Sequence, residues 1–399
     1  MNPRDAVQDP GAAELRRRGS LKWTALPAEI AAWVAESDLG TAPAVTAALH
    51  EAVRAEQLGY LPPALRGELG EACAAWQHAS YGWQVSPERV HPVADVLEAL
   101  RVAVEHHSPV GSAVILPTPA YMPFVTAPAA WGREVVQVPM TSSQGRPTLD
   151  LEALDDAFRR GGGLLILVNP HNPSGRVLTV EEMRGIATVV ERHGGRVFAD
   201  EIHAPIVHPG HRHVPYASTS AAAAEHTVTA TSASKAWNVP GLKCAQVILS
   251  NDADARVWAT HDKLSTHGAS TLGVVANIAA YRDGGTWLGE LLLRLDDHRT
   301  VLHETLHREA PTIAYRPPEG TYLAWLDLRE ALGASATTPG LARRVLRTTG
   351  VAVTDGADCG TVGRGFVRLN LAMPRPMVVA AATRLGRHLD ELSSPAPPR

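Results

Sequence analysis

The sequence predicts an α/β protein, with a mostly parallel central sheet carrying helices on both faces and a smaller α+β domain beside it. Three observations carry this expectation. Between about residues 46 and 285, short apolar or β-branched runs bounded by turn residues (112–116, 164–168, 196–199, Thr227–Thr231 and 246–249) alternate with stretches of helical spacing such as 180–193. From about residue 286 the texture changes. A long helical pattern (286–307) leads to strand-like runs at 313–315, 322–328 and 366–371, with helical patterns at 341–348 and 377–392. Finally, 399 residues suit two or three structural units. The expected division is an N-terminal segment (1–45) that joins the small domain, a large α/β domain (46–285) and a small C-terminal α+β domain (286–399). Residues 1–13 and 393–398 read as frayed ends, and no internal repeat is visible.

Composition narrows the function. Hydrophobic residues make up 45% and charged residues 20%, enough for an ordinary core. A net charge of −4 without a basic run argues against nucleic acid as a partner. No stretch resembles a signal-peptide core, and none approaches the ~18 apolar residues of a membrane span. Cys73, Cys244 and Cys359 are few and far apart, which suits a reducing compartment; the expectation is a cytoplasmic protein. Of 37 basic residues only four are lysine: Lys22, Lys235, Lys243 and Lys263. Arginine serves wherever a generic positive charge is enough. Lys235 and Lys243 therefore stand out, because an amine can form an imine and a guanidinium cannot.

In open parallel sheets, ligands bind at the carboxyl ends of the strands. Four polar clusters follow the predicted strands directly: Thr118-Pro119-Ala120-Tyr121, Asn169-Pro170-His171-Asn172-Pro173-Ser174-Gly175-Arg176, Asp200-Glu201-Ile202-His203, and Ser232-Ala233-Ser234-Lys235 with Gly241-Leu242-Lys243. Each has a plain structural explanation as a turn or a helix cap. Four at one sheet edge point instead to a binding site.

Together with Arg368-Leu369-Asn370, the order of these motifs resembles that of fold-type I enzymes dependent on pyridoxal 5′-phosphate (PLP). Within them it is similar to the cystathionine β-lyase, or cysteine-S-conjugate β-lyase, branch of the class I/II aminotransferases. The resemblance spans about residues 17–375. It implies that Lys235 holds PLP as a Schiff base and later moves the Cα proton. Asp200 is then the partner of the pyridine nitrogen, Asn172 a donor to the ring's phenolic oxygen, and Tyr121 a stacking ring. His203 takes the place where many aminotransferases carry tyrosine. Ser232, Lys243 and the backbone of Ala94, Asp95 and Val96, at the start of a helical pattern, form the phosphate site. Asp95 is a departure, since a carboxylate repels phosphate unless it points away. Tyr60 corresponds to a tyrosine that reaches the neighbouring subunit's phosphate, which implies a homodimer with shared active sites. Arg368 is the expected clamp for the carboxylate of a small amino-acid substrate. The family's N-terminal motif carries a methionine and an aromatic residue where Trp33-Val34-Ala35-Glu36-Ser37-Asp38-Leu39 has Ser37 and Leu39. These smaller residues imply a roomier substrate pocket.

Two outcomes follow from the shared chemistry. A leaving group on Cβ gives elimination to pyruvate, ammonia and a thiol, and reprotonation at the cofactor gives transamination. The Asp-Glu-Ile-His tetrapeptide and Pro318-Glu319-Gly320-Thr321-Tyr322-Leu323-Ala324-Trp325-Leu326 favour the lyase, with the aminotransferase as alternative. A different class, a metal-binding protein, would use His203, His208, His211 and His213, though Pro205, Pro209 and Gly210 break their spacing. No metal is expected.

Overall fold

Seven strands form the central sheet: β1 (Val90–Val93), β2 (Ala113–Thr118), β3 (Val135–Pro139), β4 (Gly162–Val168), β5 (Arg196–Asp200), β6 (Thr227–Thr231) and β7 (Ala245–Leu249). Their spatial order is β1-β7-β6-β5-β4-β2-β3. Strands β3, β2, β4, β5 and β6 run parallel, and β7 is antiparallel to both its neighbours, β6 and β1. The structure is a computed structural model and describes residues 7, 9–143 and 145–393.

The near-continuous apolar strands are explained by burial on both sides. Leu164, Ile166 and Val168 of β4 point into one layer with Leu100 and Ala103 of the helix Val96–His106. Leu165 and Leu167 point into the other, with Leu154 of the helix Leu151–Arg159 and Ile186 of the helix Val180–Arg192. The last of these helices starts where its sequence says it should, at a reciprocal capping box between Thr179 and Glu182.

A second, four-stranded sheet pairs Leu323–Asp327 with Phe366–Asn370, which is flanked in turn by Thr354–Asp355. Behind it the helix Gly285–Glu309 packs against Arg375–Arg387. The N-terminal segment reaches this region, because Ile30–Ala31 pairs in parallel with Val351–Ala352.

Three expectations need correction. β1 and β3 were not foreseen: Pro92 interrupts one run, and the other is only half-buried. The N-terminal stretch read as frayed carries a buried Val7 and the start of a helix at Ala12. Residues 1–6, 8 and 394–399 lie outside the described residues.

Candidate active site

The C-terminal ends of β2, β4, β5 and β6 converge on one cavity of about 220 Å³. Its lining includes Ala94, Asp95, Val96, Tyr121, Asn172, Asp200, His203, Ser232, Lys235 and Lys243. Arg368 joins it from the small sheet, where its guanidinium donates to Asn172 Oδ1 at 2.9 Å. Of the residues expected to hold the cofactor, Tyr60 alone stands apart. It is 91% exposed and borders a separate cleft beside His267.

Asp200 closes β5, so its position is set by sheet pairing with Val168 and Ala230. One carboxylate oxygen accepts the Ile202 N–H at 3.1 Å, and no cation is bonded to it among the described residues. Burial pushes its carboxyl up to about 7, and nearby Glu201 adds to the effect while Lys235 opposes it. Such a group is held most comfortably by a cation brought in from outside.

Lys235 follows β6 after a tight turn, and its Nζ donates to the Ala35 carbonyl at 3.1 Å. Burial, then the charge of Arg368, lowers this amine to about 8, against the pull of Glu36 and Asp200. An amine so placed is half neutral near pH 8, and so far more available as a nucleophile or base than an ordinary lysine. His203 is driven down to about 3 by burial and is neutral; its Nδ1 is buried without a partner among the described residues, and its ring meets Tyr322 edge-on at 5.8 Å.

Arg368 is a buried cation whose partners are the Asn172 side chain, the Trp33 carbonyl and the Thr354 hydroxyl, none of them a carboxylate. Its Nε is buried without any partner among the described residues. A buried charge in that condition is costly until an anion arrives, which argues against a structural salt bridge.

At the other end of the cavity the helix Val96–His106 points its N-terminus inward. Here the side chains differ from expectation. Ser232 lines the cavity, but its hydroxyl donates to the Cys244 carbonyl at 2.7 Å and accepts the Ser234 N–H. The Asp95 carboxylate does not point away: it caps Glu98 N–H and ion-pairs with Lys243 Nζ at 2.9 Å.

The sequence missed part of the site. Residues 33–38 form a strap beside it, with Ala35 in the cavity wall, and the strap's carbonyls are what the site's side chains hold. The Ala35 carbonyl accepts from Lys235 and from Tyr322 Oη, the Trp33 carbonyl accepts from Arg368, and Asn370 Nδ2 holds the Val34 and Glu36 carbonyls. Ser234, Ile202 and Phe124 also line the cavity. The inference from Ser37 and Leu39 to a roomier pocket fails. Neither lines the cavity; Leu39 is a core residue, and Ser37 is tied by its backbone to the Asn238 side chain.

The histidines of the metal alternative disperse. His208 Nε2 donates to the Thr321 carbonyl, His213 contacts Glu201, and His203 faces the cavity. Among the described residues no group of three or more His, Cys, Asp or Glu side chains could hold a metal ion, and no helix is long and apolar enough to cross a membrane.

The residues present fit PLP. Around one cavity lie an amine free to join an aldehyde, a buried carboxylate without a cation, an unpartnered imidazole nitrogen and an inward-facing helix N-terminus. Fold and site together define the class, fold-type I PLP enzymes of the aminotransferase superfamily. The model of the family "Aminotransferase class I and II" matches residues 34–385, and the chain belongs to that family, in its cystathionine β-lyase and C-S lyase branch. The cystathionine β-lyase of Corynebacterium glutamicum is 36% identical over 381 residues, covering 94% of this chain and 98% of that protein. The PLP-bound C-S lyase of Staphylococcus hominis superposes with a TM-score of 0.88 at 27% identity, covering 98% of this chain and 99% of the other. Cystalysin of Treponema denticola, which contains PLP, gives a TM-score of 0.88 at 26% identity over 97% of this chain and 99% of its own.

Proposed function

We propose that this protein is a PLP-dependent carbon–sulfur β-lyase that converts L-cystathionine or another cysteine S-conjugate to pyruvate, ammonia and a thiol. One observation carries the amino-acid class: Arg368, a buried guanidinium without a carboxylate partner among the described residues, is bonded to Asn172 of the cavity wall and near enough to Lys235 for its charge to act there. The likeness to the Corynebacterium glutamicum lyase over almost the whole of both chains supports the choice of reaction.

Bound in the cavity, PLP would supply an aldehyde for an amine to join and a ring that stabilises negative charge at a substrate's Cα. Lys235 would hold it there, Asp200 would keep its ring nitrogen protonated, and Asn172 and His203 would lie beside its oxygen. The remaining work belongs to the chain. Arg368 grips the substrate carboxylate in a fork of two parallel hydrogen bonds, trading away the Trp33 carbonyl and Asn172. Lys235 Nζ, whose neutral form is readily reached because its pKa is lowered to about 8, takes the Cα proton. The strap 33–38 holds the amine in place through the Ala35 carbonyl. With the Cα proton removed, a thiolate on Cβ leaves without further acid.

The same reading takes the working enzyme to be a cytoplasmic homodimer. Tyr60, almost fully exposed and outside its own chain's cavity, suits a role in a second copy's site. The three cysteines are free and buried, in keeping with a reducing compartment.

The test is product analysis on a panel of cysteine S-conjugates with and without a keto-acid acceptor. Stoichiometric pyruvate, ammonia and thiol without acceptor are expected. Activity that appears only with the acceptor would make the protein an aminotransferase.

A further inference from the structure

Two lysines line the cavity, Lys235 and Lys243. If Lys235 joins the cofactor's aldehyde, Lys243 is the side-chain charge left for the phosphate. It is already engaged. Its Nζ lies 2.9 Å from Asp95 Oδ2, while Asp95 Oδ1 accepts the Glu98 N–H at 2.9 Å as the N-cap of the helix Val96–His106. Both partners are fixed by the backbone as well. Asp95 has the extended conformation of a cap, and Lys243 sits at a left-handed φ of 51° after the turn Pro240–Leu242. The carboxylate is thereby pinned at the helix end whose N–H groups would receive the phosphate. An arriving phosphate and Asp95 compete for one ammonium and one helix N-terminus. Lys243 and Asp95 together carry no net charge where a dianion must bind.

We propose that Asp95 sets the affinity for the cofactor phosphate, acting as a built-in competitor that keeps the phosphate loosely held and the cofactor exchangeable. The proposal rests on the PLP reading above. The pair is partly solvated, with side chains 58% and 39% exposed, so water moderates the repulsion and the effect is graded. Ser234 and the helix N–H groups that Asp95 does not cap remain as phosphate donors.

The test uses the Asp95→Asn enzyme, because asparagine caps a helix as well as aspartate but carries no charge. Asp95→Ser is a second capping variant should the first fold poorly. Release of PLP from the holoenzyme and its equilibrium affinity are measured by absorbance, with pyridoxal, which lacks the phosphate, as the second probe. The variant should hold PLP about five- to thirtyfold more tightly at low salt, with pyridoxal unchanged. Unchanged or weaker PLP binding in both variants, with the parent binding PLP normally, would overturn the role of Asp95 alone. A parent that takes up no PLP would overturn the PLP reading and this proposal with it.

Discussion

Lys22 is buried and Lys235 half-buried, and the fold uses these two withdrawn lysines in opposite ways. Lys22 is enclosed completely and forms an ion pair with Asp38 at 2.8 Å, with the Glu36 and Ala372 carbonyls also within reach of its Nζ. Asp38 is in turn held by the Trp23 indole N–H at 2.9 Å. Lys235 has no carboxylate in contact and rests against a single carbonyl, that of Ala35. Burial lowers both amines, but at Lys22 the largest opposing influence is a bonded carboxylate, whereas at Lys235 the next influence is Arg368, which lowers it further. A buried amine given a counter-ion is a fastener; one denied a counter-ion is a reagent. The two are mechanically linked, since the strap that Lys22 and Asp38 anchor is the one whose carbonyls touch Lys235 and Arg368.

The largest stability change is expected at the fastener. Lys22→Met takes from the buried Asp38 its bonded cation and leaves it the Trp23 indole N–H, and should cost about 3–5 kcal/mol of folding stability. Denaturant unfolding measures this, and a loss below ~1 kcal/mol would end the comparison. Borohydride trapping at Lys235 should survive in whatever fraction remains folded.

Arg368→Ala sharpens the comparison from the other side. The variant should weaken every α-amino-acid substrate by a similar factor, worth about 1.5–3 kcal/mol, the range for a hydrogen bond to a charged group. It should also raise the pH at which Lys235 becomes neutral, because a positive neighbour is gone while the burial stays. Steady-state kinetics on several substrates and the pH profile of cofactor uptake check the two halves. A loss confined to one substrate would assign Arg368 to side-chain recognition.

How far the sequence revealed this site follows from what kind of atoms build it. Asp200, Asn172 and Lys235 were legible because each is a polar side chain placed directly after an apolar strand, and strand order brings them to one edge. The Ala35 and Trp33 carbonyls were not, because a backbone oxygen leaves no residue-type signal. The Lys22–Asp38 pair was hidden because burial of a lysine is decided by tertiary packing. Ser37 and Leu39 misled for a related reason: composition reports a smaller side chain but not which way it faces, and Leu39 faces the core. Asp95 was recognised as out of place, and only the geometry shows that it occupies Lys243. In the fold, the buried parallel strands stood out as apolar runs, while β1, split by Pro92, and the half-buried β3 did not.

The central claim is that Lys235 is the cofactor's amine and owes its reactivity to burial without a counter-ion. It is tested by mixing cofactor-free protein with PLP across a pH series, reducing with borohydride and mapping the pyridoxyl group by mass spectrometry. Because the pKa is depressed, the neutral, reactive form gains as pH rises through it, so the labelling rate should climb through about pH 8 and then level off, with the label on Lys235. A label on Lys22, Lys243 or Lys263, or a rate that keeps climbing toward the ordinary lysine value of 10.5, would contradict the account.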